Sequence, residues 1–180
     1  MKTLVLGGAR SGKSRYAEEF ALGFEGTVYV LATAQALDDE MMARIKRHRA
    51  DRPVHFLTIE EPVALAATLR RYSQPGNLII VDCLTLWLTN LISMAGVHEG
   101  VVSGDALPLL VQERAELLDL LPDLPGDVLL VANEVGLGLV PETPLGRLFR
   151  DEAGWLNQAV ARVCDKVVFV AAGLPLTLKG

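Results

Sequence analysis

The residues best suited to chemistry form one segment near the amino terminus, Gly7-Gly8-Ala9-Arg10-Ser11-Gly12-Lys13-Ser14. It matches the pattern G-x-x-x-x-G-K-[ST] at every fixed position. Gly7 and Gly12 allow backbone conformations that a Cβ would forbid, so consecutive N–H groups can point at phosphate oxygens ahead of a helix. We expect Lys13 to reach the β/γ oxygens of a nucleoside triphosphate and Ser14 to ligate Mg²⁺. The structural alternative is an ordinary glycine-rich turn between a strand and a helix.

A second candidate Mg²⁺ ligand is Asp82, which follows the aliphatic run Leu78-Ile79-Ile80-Val81. Proteins with this phosphate loop place an acid at the end of a buried strand to anchor the metal. The same carboxylate could cap the helix that begins near Leu84, and the two roles are compatible.

Basic residues are concentrated in one short stretch of an acidic chain. The net charge of −5 argues against a nucleic-acid binder, because phosphate backbones require a basic surface. The cluster consists of Arg44, Lys46, Arg47, Arg49 and Arg52. It is either a solvated helix face or a site for a small anion.

The elements that position these residues follow from hydrophobic patterning. Short apolar runs alternate with segments of helical period, which is typical of βαβ units. Most runs lack polar alternation, as expected for strands buried on both faces. We predict strands near Thr3–Leu6, Thr27–Leu31, Val54–Leu57, Leu78–Val81, Val128–Ala132 and Val167–Ala171, with a possible antiparallel edge strand at Leu176–Lys179.

The helices fill the gaps between these strands. We predict them from Ser14 to Leu22, Asp38 to Ala50, Pro62 to Arg71, Leu84 to Met94, from about Pro108 onward, and from Pro144 to Val163. Thr143 is a suitable N-cap for the last helix. Ala95–Leu107 is glycine-rich and is predicted to be a mobile excursion. The pattern predicts one doubly wound α/β domain over residues 1–180, of the P-loop (RecA-like) type, with a mostly parallel sheet.

Composition limits the cellular setting. The apolar share is 51%, yet no apolar run approaches the roughly 18 residues that span a bilayer. Met1 and Lys2 lead directly into a strand, so we expect no signal peptide. Cys83 and Cys164 have no spacing typical of a disulfide framework or a metal site. We therefore expect a cytoplasmic protein.

The chain has 3 histidines, and each could be a nucleophile or a structural residue. His55 alternates with Val54 and Phe56 in the predicted third strand, which favours a structural role. His98 lies in the glycine-rich excursion. His48 lies among arginines in the second helix; from the residues alone, a surface histidine on a basic helix is the favoured interpretation.

Several further segments resemble one known family over nearly the whole chain, from Leu4 to about Gly173. They are Ala32-Thr33-Ala34-Gln35, Asp38-Asp39-Glu40-Met41, Arg44-Ile45 with His48 and Arg52-Pro53, Asn133-Glu134-Val135-Gly136, and Phe149-Arg150-Asp151. Together with the phosphate loop they resemble the bifunctional adenosylcobinamide kinase / adenosylcobinamide-phosphate guanylyltransferase family of cobalamin biosynthesis.

The resemblance implies two reactions on one corrinoid. The family phosphorylates the aminopropanol hydroxyl of adenosylcobinamide and then attaches GMP to that phosphate, through a histidine guanylylated by GTP. It implies that His48 is this histidine, since neutral imidazole can attack an α-phosphorus and leave again. It further implies that the protein binds GTP, ATP and Mg²⁺, and that adenosylcobinamide phosphate is its second substrate. It also implies a homotrimer.

The same resemblance assigns residues around the nucleotide. It places Ala32, Thr33, Ala34, Arg49, Arg52, Glu60 and Asp82 near it, in addition to the phosphate loop. Glu60 would read the ribose or guanine, or else cap the helix that begins at Pro62. Asn133 and Glu134 would line the site of the corrinoid arm.

Two other functions remain compatible with the motifs. A kinase that never forms a histidine intermediate needs only the phosphate loop and Asp82. A nucleotide-dependent switch is disfavoured, since N-K-x-D is absent and Asp82 is followed by Cys83-Leu84-Thr85 where a D-x-x-G switch would stand.

Overall fold

The computed structural model describes residues 1–36, 39–96 and 107–180, and a seven-stranded sheet forms its centre. The strands in chain order are β1 (Lys2–Gly7), β2 (Thr27–Ala32), β3 (Leu57–Glu60), β4 (Asn77–Asp82), β5 (Asp127–Asn133), β6 (Lys166–Ala171) and β7 (Leu174–Lys179). Their spatial order is β3-β2-β4-β5-β1-β6-β7. Neighbours pair in parallel except β6 and β7, which are antiparallel. The predicted sheet and its antiparallel edge are confirmed.

Helices cover both faces of the sheet. They are α1 (Lys13–Leu22), α2 (Asp39–Asp51), α3 (Leu65–Tyr72), α4 (Leu84–Met94), α5 (Pro108–Leu120) and α6 (Pro144–Val163), with a short 3-10 helix at Leu121–Asp123. Side chains of α3, α4, α5 and α6 join one apolar cluster. Side chains of α1 join a second cluster, built with the residues of the opposite sheet face. The predicted doubly wound α/β architecture is therefore confirmed.

The central strand β4 shows why the apolar runs become buried strands. Leu78, Ile79, Ile80 and Val81 alternate between the two faces, and all are at most 3% exposed. A parallel strand covered by helices on both sides requires apolar residues in both orientations. The run ends at the half-buried Asp82, where the sheet meets solvent.

The third strand lies later in the chain than the sequence predicts. Val54–Leu57 was expected to be a strand, but residues 53–56 form a turn in which the Phe56 N–H donates to the Pro53 carbonyl at 3.0 Å. Val54 and His55 are exposed there, so the expected structural role of His55 in a strand is wrong. Proline donates no backbone hydrogen bond, and it favours this turn over a strand.

The glycine-rich excursion and the start of α2 fall partly outside the described residues. Residues 97–106 of the predicted excursion, including His98, belong to that part of the chain, as does Asp38. Among the described helices, none is long and apolar enough to cross a bilayer.

Helix α6 is fixed at both ends by side chains. The Thr143 hydroxyl accepts a hydrogen bond from the Gly146 N–H at 3.1 Å, as the sequence predicts. At the other end the Lys179 ammonium donates to the carbonyls of Ala161 and Arg162, both at 3.0 Å. The edge strand β7 thus supplies a cation to the carbonyl end of α6.

The cap of α6 gives a stability prediction. Replacing Thr143 by alanine leaves the Gly146 N–H without its protein acceptor, and should lower the free energy of unfolding by about 1 kcal/mol. Urea denaturation monitored by circular dichroism measures this. Thr143→Ser keeps the acceptor and should lose at most a few tenths of that amount; equal losses for both variants would contradict a capping role.

Candidate nucleotide and active site

The candidate site lies where the parallel strands end. Gly7 of β1 stands beside Asn133 of β5, and Ala32 of β2 stands between Glu60 of β3 and Asp82 of β4. The carboxyl ends of parallel strands share one edge of a sheet, and open α/β sheets bind ligands there. The strand register therefore brings residues from five separate segments to one place.

A cleft of about 690 Å³ opens at this edge. The end of the phosphate loop lies on one side of it and helix α2 on another. Its lining residues are Lys13, Ser14, Ala32, Ala34, Met41, Ile45, Arg52, Glu60, Asp82, Cys83, Leu86 and Asn133.

The backbone of the phosphate loop requires glycine at two positions. A Cβ at Gly7 would lie 2.4 Å from the Ser11 hydroxyl oxygen and 2.6 Å from the Val170 carbonyl oxygen. Gly12 has φ +97°, and a Cβ there would lie 3.1 Å from the Cα of Gly173. The Gly173 N–H donates to the Ser11 carbonyl at 2.8 Å. The turn between β6 and β7 therefore packs against the phosphate loop and holds it by this hydrogen bond.

Polar groups of the loop fit a bound phosphate. The Lys13 ammonium donates to the Gly8 carbonyl at 3.1 Å, so it is held over the loop. The Ser11 hydroxyl is buried without a hydrogen-bond partner among the described residues. Helix α1 begins after Gly12 with no side-chain cap, which leaves its first N–H groups available to an anion. Ala9 and Arg10 are exposed at the tip of the loop.

The two predicted metal ligands line the same cleft. Ser14 and Asp82 present a hydroxyl and a carboxylate, hard oxygen donors of the kind Mg²⁺ takes. The described residues contain no cluster of three or more His, Cys, Asp or Glu side chains that would hold a metal unaided. Such a pair of donors fits an ion whose remaining ligands are oxygens of substrate phosphates and water.

Asp82 is also the partner of Arg52. The Arg52 guanidinium donates to an Asp82 carboxylate oxygen at 3.2 Å, and the Arg52 side chain is only 9% exposed. This pair joins the segment following α2 to the end of β4. The alternative role of Asp82 as a helix cap is not observed: Cys83 occupies the N-cap position of α4, without a side-chain cap.

The capping role that the sequence left open for Glu60 belongs to Glu61. One Glu61 carboxylate oxygen accepts from the Val63 and Ala64 N–H groups at 2.9 and 2.8 Å. Glu61 thereby caps the chain ahead of α3, which begins at Leu65 and not at Pro62. Glu60 lines the cleft instead.

Thr33 is buried beneath the cleft, and its side chain does not line it. Its hydroxyl donates to the Cys83 carbonyl at 2.8 Å and accepts from the Cys83 N–H at 2.9 Å. The Thr33 carbonyl accepts from the Asn90 side-chain amide at 2.8 Å, and the same amide donates to Pro62 at 3.0 Å. These bonds tie together the loops after β2, β3 and β4.

Sequence reasoning missed three residues of this region. Asn90 is a lone amide in the apolar stretch Leu84–Met94, and that polar exception was the available signal. Cys83 and Leu86 carry no motif, and only the fold places them in the cleft.

The side chains of His48 and Arg49 lie outside the part of the structure that is described. Their backbone belongs to α2, whose Met41 and Ile45 line the cleft.

The free thiols are poor nucleophiles. Burial raises the pKa of Cys83, and the neighbouring Asp82 carboxylate raises it further. Burial raises the pKa of Cys164 to about 12. Because the thiolate is the reactive form, Cys83 is a weak candidate for covalent chemistry although it lines the cleft.

The sheet and the phosphate loop define a P-loop nucleotide-binding protein. The fold agrees with an ATPase of the type III secretion system of pathogenic bacteria, at a TM-score of 0.58 and 13% identity, over 98% of this chain and 56% of that one. At this identity the likeness concerns the fold alone.

A family model described as cobinamide kinase / cobinamide phosphate guanyltransferase matches residues 3–178. The bifunctional adenosylcobalamin biosynthesis protein CobP of Pseudomonas aeruginosa is 53% identical over 100% of this chain and 98% of its own length. CobU of Escherichia coli, with the same description, is 40% identical over 99% of this chain and 100% of its own length. The chain belongs to the cobinamide kinase / cobinamide phosphate guanyltransferase family, as the sequence motifs predict.

The thiol pKa values give a reactivity prediction. A raised pKa keeps both thiols protonated at pH 8, whereas unfolded cysteine with a pKa near 8.5 is partly ionised there. Iodoacetamide at pH 8 should alkylate the native protein at least about tenfold more slowly than the urea-unfolded protein, measured by intact mass. Rapid alkylation of native Cys83 would contradict its burial.

Proposed function

We propose that the chain phosphorylates the aminopropanol hydroxyl of adenosylcobinamide and then transfers GMP from GTP to that phosphate, using one cleft for both reactions. Family membership supports the pair of reactions. One observation supports a single cleft for both reactions. The same space is bordered by the phosphate-loop residues Lys13 and Ser14, by Asp82, and by the helix that carries His48.

At the phosphate end, Lys13 and the loop N–H groups bind the triphosphate. A bound Mg²⁺, held by Ser14 and Asp82, would supply positive charge to the phosphate oxygens. In the structure Lys13 donates to Gly8 and Arg52 donates to Asp82. The triphosphate offers Lys13 a stronger acceptor than the Gly8 carbonyl, since its phosphate oxygens are charged. The planar Arg52 guanidinium carries further N–H groups beside the one that donates to Asp82, and these can pair with phosphate oxygens. We infer that Arg52 and Arg49 bind phosphate oxygens in the loaded enzyme.

At the nucleoside end, Ala32, Ala34 and Glu60 form the wall of the cleft. The small alanine side chains leave room for a base or ribose close to the backbone. Glu60 is proposed to accept hydrogen bonds from the ribose hydroxyls or from the guanine ring. Thr33 does not line the cleft; its hydroxyl and its carbonyl hold this loop in place.

His48 is proposed as the guanylylated residue. Position 48 of α2 lies three residues after Ile45 and seven after Met41, spacings at which helical positions share a face, and both residues line the cleft. Neutral imidazole attacks the α-phosphorus of GTP, forming a P–N bond while the P–O bond to the departing pyrophosphate breaks. The phosphate oxygen of adenosylcobinamide phosphate then attacks the same phosphorus, breaking the P–N bond and restoring the imidazole.

The remaining assignments rest on the family. We propose residues 1–180 as one catalytic domain, GTP as the guanylyl donor, ATP or GTP as the phosphoryl donor, and a homotrimer in the cytoplasm. The edge strand β7 offers an apolar surface for self-association, with Leu174, Leu176 and Leu178 at 72%, 61% and 58% exposure.

The metal assignment predicts the behaviour of Asp82→Asn. The substitution keeps the side-chain shape but removes the charge, so the apparent affinity for Mg²⁺ in the kinase reaction should fall by about 10- to 100-fold. Titrating Mg²⁺ against the initial rate measures this, and high Mg²⁺ should restore part of the activity. A variant with lower thermal stability but wild-type Mg²⁺ dependence would show that Asp82 is structural only.

The nucleophile assignment predicts that His48→Ala separates the two activities. Transfer of the γ-phosphate requires no histidine, so cobinamide phosphorylation should persist while GMP transfer falls by several orders of magnitude. Chromatography of the corrinoid products distinguishes the two. The matched control is His55→Ala, an exposed histidine in the turn after α2, which should retain both activities. Equal loss of both activities in His48→Ala, with nucleotide binding intact, would sink the assignment.

A further inference from the structure

A second concave surface lies outside the nucleotide cleft, against helix α6. It is an open surface depression lined by Gly136, Arg150, Asp151, Gly154, Trp155 and Gln158, which we name the Trp155 pocket. Those of its lining residues that belong to α6 are spaced so that they lie on one face of the helix. Trp155 is 57% exposed, whereas the other tryptophan, Trp87, is fully buried. Apart from the backbone of α6 itself and the two adjoining residues, no described atom lies within 4 Å of a Cβ built at Gly154, so this part of the helix surface is open among the described residues.

The Trp155 pocket lies beyond the active edge of the sheet. The Asn157 side-chain amide donates to the Asn133 carbonyl at 3.4 Å, which places the middle of α6 level with the end of β5. Helix α6 leads into β6, which runs parallel to β1 and β5, so residues before Asn157 lie on the carboxyl side. At 1.5 Å per residue, Arg150 lies about 10 Å further out.

A short segment joins the pocket to the nucleotide cleft. Asn133 lines the cleft and Gly136 lines the pocket, and the chain between them spans at most about 11 Å. The Glu134 N–H donates to the Gly7 carbonyl at 2.9 Å, so the segment lies directly beside the start of the phosphate loop. A group that reaches from the pocket along this segment arrives at the phosphates.

The chemistry of the pocket suits a corrinoid. A corrin ring has broad apolar faces and a rim of carboxamide side chains. The Trp155 indole offers a flat surface for stacking. Arg150 donates to one Asp151 carboxylate oxygen through two of its nitrogens, at 3.2 and 3.1 Å. The other Arg150 N–H groups, the second Asp151 oxygen and the Gln158 amide provide donors and acceptors of the kind that match amide groups. Beyond Gly136 the chain exposes further apolar side chains, at Leu137, Leu139 and Val140.

We propose that the Trp155 pocket binds the corrin ring of the substrate, with the aminopropanol arm extended along residues 133–136 to the cleft. This assignment rests on the proposed function and adds a separate binding site for the ring. Both reactions then use one docked corrinoid, since the hydroxyl and the phosphate made from it occupy the end of the same arm.

Steady-state kinetics of Trp155→Ala test the proposal. Loss of the stacking surface should raise KM for both adenosylcobinamide and its phosphate by about tenfold or more. Formation of the GMP–enzyme adduct from GTP alone should keep its rate, because no corrinoid takes part. Trp155→Phe retains an aromatic face and should restore most of the affinity. The matched control is Leu22→Ala, on α1 with 58% exposure, which should leave KM unchanged.

The outcomes separate this proposal from the proposed function. Unchanged corrinoid KM values in Trp155→Ala overturn the pocket assignment. The pocket assignment is also overturned if analytical ultracentrifugation shows a lower oligomer mass for Trp155→Ala than for the wild type. The surface would then be a contact between copies of the chain. Failure of the wild type to form any GMP adduct would count against the histidine mechanism, and a raised corrinoid KM for the kinase step would still support the pocket.

Discussion

The register of the central parallel strands is the constraint on which the site depends. Gly7 pairs with Asn133, and Ala32 pairs with Asp82, so the start of the phosphate loop and the ends of β2, β4 and β5 meet at one edge of the sheet. A slip of one residue would turn Asp82 to the opposite face of the sheet. Side chains of β4 and β5 pack into the apolar clusters on both faces of the sheet, and this core supports the strand ends that carry the site residues.

Much of the fold could be predicted because its signals are local. Continuous aliphatic runs identify the buried strands, and Thr143-Pro144 identifies the start of α6. The third strand could not be placed from its apolar residues, since β3 is short and largely exposed, with the pattern Leu57-Thr58-Ile59-Glu60. Its position follows from pairing with β2, a long-range interaction that local patterning does not report.

The candidate site was predictable where residue type and spacing are tied to phosphate chemistry. Lys13, Ser14 and Asp82 line one cleft, as the motifs require. The supporting contacts were not predictable, because they join segments distant in sequence. Asn90 bonds to the loops after β2 and β3, and Gly173 bonds to the phosphate loop from the far end of the chain. Such contacts follow from the packing of the whole sheet.

Peptide mass spectrometry after incubation with GTP and Mg²⁺, without corrinoid, tests the central claim most directly. The account predicts the added mass of one GMP on the peptide containing His48. That adduct should be lost in acid and should survive alkali, as expected for a P–N bond to imidazole and not for an ester to serine. GMP found on a peptide that contains His55, Cys83 or Ser14 instead would contradict the account, as would the absence of any adduct from an enzyme that completes both reactions.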